Sequence, residues 1–290
     1  MLSADRLAQI LTERFGVAVS GEAADSSDGK QVTFRPHDIP ATQGFSVEVL
    51  IGWRSMEAQF LPGTYAAQLL GSMASSSPDQ RAAFGAFIRS SMNDGARVTF
   101  RVNNQDVEPL RPAAWPSDWR SLALAITKGP TVIDGTSPTA LDGLALTWSS
   151  RLLGAVLALM PLEPVQEESQ GEAEGGAQQV LVTRYERSHI NRAACIEIHG
   201  VRCKVCDFDF ALVYGDIGEG FIEVHHIEPV SGIVPGTIVD PGRDLAPVCP
   251  NCHAMLHRRK PPYSIDELRS MLRPNLLFGG NLPSGSVVKT

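Results

Sequence analysis

Residues 247–257 read Pro-Val-Cys-Pro-Asn-Cys-His-Ala-Met-Leu-His, and they combine a Cys-x-x-Cys pair with two histidines. The pair is Cys249 and Cys252, and a second pair, Cys203 and Cys206, lies upstream with 42 residues between the two. Each pair presents two thiolates from one turn, and four thiolates complete a tetrahedron around zinc. The spacing therefore predicts a structural Zn²⁺ site, which would supply much of the folding free energy of a small C-terminal domain.

Two other interpretations of these cysteines carry less weight. Unrelated buried cysteines would have to form two equally spaced pairs by chance, and a redox pair is expected in a βαβ pattern that neither pair has. The chain has five cysteines, an odd number, which argues against a disulfide framework. The fifth, Cys195, is expected to be a small buried apolar residue.

Four histidines lie around the cysteine pairs. His253 and His257 are four residues apart on a predicted helix and so share one face, a spacing that suits binding of one cation. His225 and His226 are adjacent at the end of a predicted strand, residues 221–227, so their side chains point to opposite sides. One of these two can bind a metal while the other faces a substrate.

The order of these residues resembles the HNH endonucleases in their zinc-containing, four-cysteine form. Residues 184–273 carry the resemblance, through Glu223-Val-His-His-Ile-Glu-Pro229 and through the stretch 247–257 quoted above. The resemblance implies a ββα-metal fold, in which a hairpin and a helix bind one divalent cation. It says nothing about residues 1–163.

The resemblance also implies a role for each histidine. His226 would be the general base, since neutral imidazole can take a proton from water near pH 7. The ligands of a catalytic divalent cation would be His225, His253 and His257. Three neutral ligands preserve the full charge of the ion, which suits a phosphate substrate. Imidazole favours transition metals, but Mg²⁺, Mn²⁺, Ni²⁺ and Zn²⁺ are all candidates for the catalytic cation.

Asp244 is a departure from the family pattern, because it stands where the family usually has the Asn that orients the base. A carboxylate can accept a hydrogen bond from an imidazole N–H but cannot donate as an amide does. Its charge would also favour the imidazolium form of the base. Asn251 is a second candidate for the orienting residue, but it lies inside the cysteine turn and is expected to serve that turn.

Two groups of basic residues flank the predicted metal sites. One group directly follows the ligand helix and is expected to contact the DNA backbone; the alternative is a solvated helix end with favourable dipole placement. This group is Arg258, Arg259 and Lys260. The other group lies upstream of the first cysteine pair and can extend the basic face. It is Arg184, Arg187 and Arg192.

Composition divides the chain into two domains. Residues 164–180 have almost no apolar content and cannot offset their ordering entropy by burial, so they predict a flexible linker. An N-terminal α+β domain is expected over residues 1–163, an HNH nuclease domain over 181–275 and a loose tail over 276–290. The predicted fold class is thus α+β in two parts, with a four-cysteine zinc site in the second.

The N-terminal part mixes helical and strand periodicity. Helices are expected over residues 2–15, 66–73, 80–92, 115–126 and 144–162, and strands over 32–35, 45–51 and 98–102. All four tryptophans (53, 115, 119 and 148) lie here. They are interpreted as core aromatics, with a base-reading pocket as the alternative.

Charge and hydropathy limit the classes of partner. The net charge of −7 argues against coating nucleic acid by bulk charge, although residues 181–290 hold 12 basic and 12 acidic side chains and are the least acidic part. The start of the chain is amphipathic rather than like a signal peptide. The longest apolar stretch, residues 144–160, is interrupted by Ser149, Ser150 and Arg151. A cytoplasmic protein with no membrane partner is expected.

The leading hypothesis is a metal-dependent DNA endonuclease, of a restriction or phage-defence type, whose N-terminal domain selects the target. A non-specific nuclease is the companion hypothesis, and a zinc-dependent nucleic-acid-binding module without catalysis is the alternative from another class. A third hypothesis makes the N-terminal domain a sensor of a protein or small ligand that controls the nuclease. Since one active site nicks one strand, a double-strand break would need a homodimer or two visits.

Overall fold

The computed structural model describes residues 2–37, 39–130, 137–160, 189–227 and 239–272. Within these ranges the helices are α1 Ala4–Phe15, α2 Ala67–Ala74, α3 Pro78–Asn93, α4 Pro138–Ala158, α5 His189–His199, α6 Phe210–Tyr214, α7 Pro250–Leu256 and α8 Ile265–Met271. The strands are β1 Val19–Ser26, β2 Gly29–Pro36, β3 Phe45–Ile51, β4 Met56–Pro62, β5 Arg97–Val102, β6 Gln105–Asp106, β7 Leu122–Lys128, β8 Glu223–His226 and β9 Leu245–Val248. The predicted linker and the predicted tail lie outside the described residues.

The N-terminal domain is built on a seven-stranded antiparallel sheet in the order β1-β2-β3-β4-β7-β5-β6. Strand β3 alternates strictly, so that Phe45, Val47, Val49 and Ile51 are buried against the helices. Helix α4 packs across β3 and β4, and α1 packs on β1. A strand with one buried face and one polar face is typical of an antiparallel sheet that is covered on one side.

The helix expected over residues 115–126 is wrong, because residues 122–126 belong to strand β7, an interior strand of the sheet that pairs with β4 and β5. Leu122, Leu124 and Ile126 are buried and alternate with more exposed residues, which is the period of a strand and not of a helix. Strands β1 and β4 were not predicted. The sequence of β1 is mostly small and polar, and it pairs with β2 along its whole length at the edge of the sheet, so backbone hydrogen bonds rather than side-chain burial define it.

Three of the four tryptophans belong to the core, as expected. Trp115, Trp119 and Trp148 are buried, whereas Trp53 is 80% exposed in the turn between β3 and β4. The guanidinium carbon of Arg54 lies 5.2 Å from the centre of the Trp53 ring. The three buried tryptophans therefore stabilise the N-terminal domain, and Trp53 is exposed at its surface.

Helix α5 contributes to two hydrophobic clusters at once. Ile190, Ala193 and Ala194 pack into the core of the N-terminal domain. Cys195, from the same helix, packs with Leu245 of β9 in a cluster on the C-terminal side. The helix that precedes the first cysteine pair therefore connects the sheet domain to the hairpin that carries the histidines.

The C-terminal domain has a small core of its own. Strands β8 and β9 form a two-stranded antiparallel hairpin, and α7 and α8 follow it. The buried side chains that surround the cysteines are Val205, Ile222, Val248, Leu256 and Leu268. A core this small gains little stability from burial alone. No helix in the described ranges is both long enough and apolar enough to span a bilayer.

Candidate functional site

The four paired cysteines converge on one point. The Sγ atoms of Cys203, Cys206, Cys249 and Cys252 all lie within 4.8 Å of one another. The distance from Cys206 Sγ to Cys249 Sγ is 3.8 Å, and a tetrahedron with metal–sulfur bonds near 2.3 Å has edges of about 3.8 Å. Both the donor set and its size therefore fit a structural zinc ion.

Each cysteine pair lies on a turn that the local backbone holds in place. In the first turn Asp207 has a φ of 58°, and its amide donates to the carbonyl of Cys203 at 2.9 Å. In the second turn Cys249 is the N-cap of α7, and its Sγ accepts a hydrogen bond from the amide of Cys252 at 3.4 Å. The Cys-x-x-Cys spacing thus places two sulfurs on the same side of each turn.

The thiols titrate in a way that favours a bound cation. The hydrogen bond from Cys252 lowers the pKa of Cys203 to about 4, and the same hydrogen bond raises the pKa of Cys252. Burial raises the pKa of Cys206 to about 12. Without a cation the negative charge of these three thiols is therefore concentrated on Cys203, and a divalent cation would let Cys206 and Cys252 ionise as well. Cys195 stands outside the cluster, and burial raises its pKa to about 12, which is the behaviour of an inert buried thiol.

A second cluster contains the three histidines predicted as ligands. His225 comes from β8, His253 from α7, and His257 caps the C-terminal end of α7. One ring nitrogen of each lies within 4.8 Å of the others. The ring centroids of His225 and His253 are 5.2 Å apart, and each of these rings is 5.0 Å from that of His257. The structure therefore brings together all three side chains, although His257 lies just beyond the helix that was expected to carry it.

The surroundings of His225 fit metal binding. The residue is 3% exposed, and among the described residues its Nδ1 atom has no hydrogen-bond partner. Burial, followed by the charges of the neighbouring imidazoles, lowers the pKa of His225 to about 4. The ring is therefore neutral at pH 7 and has a lone pair available. A buried polar atom without a partner costs roughly 1–3 kcal/mol, and a coordinated cation would relieve such a cost.

Glu223 is the site residue that sequence reasoning missed. Its Oε2 atom lies 2.6 Å from Nδ1 of His253. Glu223 is the first residue of the motif Glu223-Val-His-His-Ile-Glu-Pro229, but the motif predicted no role for it. The available signal was strand alternation, since residues 223 and 225 share one side of β8.

His226 and Asp244 flank the other side of the hairpin. By strand alternation His226 points away from His225, and it is 7% exposed. The carboxylate of Asp244 accepts hydrogen bonds from the amide of Asp240 at 2.8 Å and from the Arg243 guanidinium at 2.7 Å. The Arg243 hydrogen bond lowers the pKa of Asp244, and the charge of His226 contributes in the same direction. Asp244 thus interacts electrostatically with His226, while these two hydrogen bonds hold it within its own turn.

The basic residues after α7 differ in their contacts. Arg258 and Lys260 are exposed. Arg259 pairs with Glu267 of α8 at 3.1 Å, and its guanidinium carbon lies 4.1 Å from the centre of the Tyr263 ring. Arg259 therefore connects the end of α7 to α8, and the other two cations are better placed to meet a nucleic acid.

The upstream arginines and Asn251 also have distinct surroundings. Arg192 donates to the carbonyl of Ile222 at 2.6 Å, just before β8, so it supports the hairpin. Arg184 and Arg187 lie outside the described residues. Asn251 is exposed in the first turn of α7, within the cysteine turn as expected.

Comparison with known proteins agrees with the resemblance seen in the sequence. Residues 203–259 match the family model described as HNH endonuclease, and both clusters lie within this segment. The C-terminal part therefore contains an HNH endonuclease domain with a four-cysteine cluster, and such a domain implies a nuclease-type, nucleic-acid-binding module. No curated protein matches the chain.

Proposed function

We propose that this chain is a metal-dependent DNA endonuclease. One observation supports it above the others: His225, His253 and His257 converge on a single point within the HNH segment, beside a zinc-type cysteine cluster. The zinc would stabilise the hairpin and α7, and the three imidazoles would hold a second, catalytic ion. Mg²⁺, Mn²⁺, Ni²⁺ and Zn²⁺ are the candidates, with the transition metals favoured by the nitrogen ligands.

Each residue of the site would then have a chemical task. A divalent cation bound by the three imidazoles would supply positive charge to the phosphoryl oxygen and to the departing 3′ oxygen. A ring nitrogen of His226 would accept the proton of the attacking water. The carboxylate of Asp244 would stabilise the protonated ring of His226 electrostatically. Attack opposite the 3′ oxygen would leave a 5′ phosphate and a 3′ hydroxyl.

DNA binding would use the exposed cations next to this site. Arg258 and Lys260 would contact backbone phosphates, which fix the position of the duplex without reading its sequence. Arg259 would help by holding the α7–α8 connection through Glu267, and it would reach a phosphate only by leaving that partner. The balance of 12 basic and 12 acidic residues over 181–290 is compatible with such a local contact.

The N-terminal domain would select the target. Trp53, exposed beside Arg54, gives this domain an aromatic group and a cation that can meet a base and a phosphate. A nuclease joined to such a selector suits restriction or phage defence in the cytoplasm, including cleavage of modified DNA. A homodimer would provide two sites for a double-strand break.

A second candidate is a zinc-dependent nucleic-acid-binding module that does not cut. The observation that favours it is the burial of His226, which is 7% exposed, because a general base must reach a water molecule. In this case the histidine cluster would have only a structural role.

Cleavage assays separate these candidates. The full-length protein is incubated with plasmid DNA that is unmodified, methylated or glucosylated, in the presence of each candidate metal. We expect nicking or linearisation that His226→Ala abolishes. The matched control is His37→Ala, which removes an exposed histidine from the N-terminal domain and should leave cleavage intact.

Two outcomes would count against the proposal. Intact plasmid under every metal and every modification, with retained DNA binding, would favour the binding module. Cleavage by His226→Ala at the wild-type rate would remove His226 from the mechanism.

A further inference from the structure

A short contact links the first residue of the metal-site strand to one of the metal-site histidines. Glu223 Oε2 lies 2.6 Å from His253 Nδ1. The two residues are 30 positions apart in sequence, so the contact depends on how β8 and α7 meet. The Glu223 side chain is 44% exposed and that of His253 is 26% exposed, which places the pair at the rim of the histidine cluster.

Strand geometry explains why a carboxylate is found there. Residues two apart on a strand share one face, so Glu223 and His225 both face α7. His225 belongs to the histidine cluster. Glu223, two residues earlier on the same face of β8, contacts the Nδ1 atom of His253. The close group of potential ligands contains the three histidines and not Glu223. Glu223 therefore contacts a predicted ligand, His253, and is not itself one of the predicted ligands.

This contact fixes what His253 can do. With Nδ1 donating its hydrogen to a carboxylate, the imidazole keeps its lone pair on Nε2. The hydrogen bond also limits rotation of the ring. In metalloproteins a carboxylate in this position orients the histidine and makes it a stronger ligand, and its loss typically weakens metal binding by about 10–100-fold.

We propose that Glu223 is a positioning residue, which holds His253 in the tautomer and orientation needed to bind the catalytic cation through Nε2. This inference rests on the metal site of the proposed function. It adds a residue to that site and states which nitrogen of His253 is the ligand.

Metal affinity in the absence of DNA tests the inference. Zinc-loaded full-length protein is titrated with Mn²⁺ or Ni²⁺ by calorimetry. Glu223→Ala should bind the ion about 10–100-fold more weakly than the wild type. Glu223→Gln keeps an oxygen that can accept from Nδ1–H, so it should recover most of the lost affinity. Glu219→Gln, which changes an exposed carboxylate four residues earlier, is the matched control and should bind like the wild type.

The outcomes distinguish this inference from the function on which it rests. Unchanged affinity in Glu223→Ala would overturn the positioning role, and so would a Gln variant as weak as the Ala variant. If the wild type bound neither ion while it retained zinc, the three-histidine site itself would fail, and the proposed function with it. Far-UV circular dichroism of each variant confirms that lost affinity is not lost folding.

Discussion

His225 illustrates how burial prepares a side chain for a chemical role. The residue lies in a strand whose cross-strand neighbour is Ala246, and it is almost fully removed from water. Burial penalises the charged imidazole, so the ring stays neutral where an exposed histidine would begin to protonate. A neutral ring is the form that binds a cation.

The lowered pKa of His225 predicts a pH-dependent stability. The folded value is about 4 and the ordinary value is 6.5, so the unfolded chain takes up the proton more readily between them. The contribution of the neutral His225 ring to the free energy of unfolding is therefore complete above pH 6.5 and is lost as the pH falls towards 4. Thermal melts of zinc-loaded protein without a second cation should show a falling melting temperature from about pH 7 to about pH 5.

The variant His225→Asn should flatten this dependence. Burial also lowers the pKa of His199, which contributes with the same sign, so His199→Asn is the comparison that separates the two contributions. A slope that persists unchanged in His225→Asn would show that this residue is not its source. Zinc content is measured at each pH, because protonation of the thiolates releases the metal.

The turns that carry the cysteines hold the C-terminal elements together. The amide of Lys204, in the first turn, donates to the carbonyl of Pro247 in β9 at 2.9 Å. Pro247 lies just before the second turn and the start of α7. Loss of a structural metal from the four cysteines would therefore loosen the first turn from β9 and from the turn that begins α7.

Zinc removal should unfold the C-terminal domain beyond α5 and spare the N-terminal domain, because α5 itself packs into the N-terminal core. All four tryptophans lie in the N-terminal domain, so their emission reports on that domain while far-UV circular dichroism reports on both. Chelation, or Cys206→Ser, should reduce the helical signal with little change in tryptophan emission, since a structural zinc contributes on the order of 10 kcal/mol.

Zinc stoichiometry provides the control for this experiment. Cys195→Ala removes a buried cysteine outside the cluster and should keep the wild-type zinc content, whereas Cys206→Ser should lose it. Equal zinc content in the two variants would contradict the four-cysteine site.

Helix α5 couples the two parts of the molecule through a buried ionic network. Arg151 of α4 is buried, with its side chain 7% exposed. Its Nε atom lies 2.5 Å from Glu197 Oε1 on α5, and its Nη2 atom lies 2.5 Å from Asp94 Oδ2 at the end of α3. Ser90 donates to the same Glu197 oxygen at 3.1 Å. A charge cluster of this kind defines how α5 sits on the N-terminal helices.

Removal of Glu197 should therefore destabilise the whole chain. Glu197→Ala leaves Arg151 buried with only Asp94 to balance it, and breaking a buried pair in this way costs about 3 kcal/mol or more. The free energy of unfolding is measured by denaturant titration with tryptophan emission. Trp148 is a suitable reporter because its ring centroid lies 4.7 Å from the Arg151 guanidinium carbon.

The matched control is an exposed pair. Asp118 and Arg120 form an ion pair 3.0 Å long whose side chains are 68% and 84% exposed. Asp118→Ala should change the free energy of unfolding by less than about 1 kcal/mol. Equal effects of Glu197→Ala and Asp118→Ala would show that the α5 contact does not depend on the buried network.

The sequence by itself determined the features that depend on short spacing. The local geometry of turns, helices and strands explains three of them. These are the two Cys-x-x-Cys turns, the proximity of two histidines four residues apart and the alternation of buried residues in β3. The capping box of α8, in which Ser264 and Glu267 exchange hydrogen bonds, belongs to the same class. Such features need only neighbouring residues, so their physical cause is contained in a few positions of the chain.

Only the tertiary structure decided how distant segments meet. The alternation in β7 is a local signal for a strand, but its position between β4 and β5 joins segments that are far apart in the sequence. The contact of Glu223 with His253, the burial of His226 and the engagement of Arg259 with Glu267 each join separate elements. Their cause is the packing of one element against another, and no local spacing encodes that.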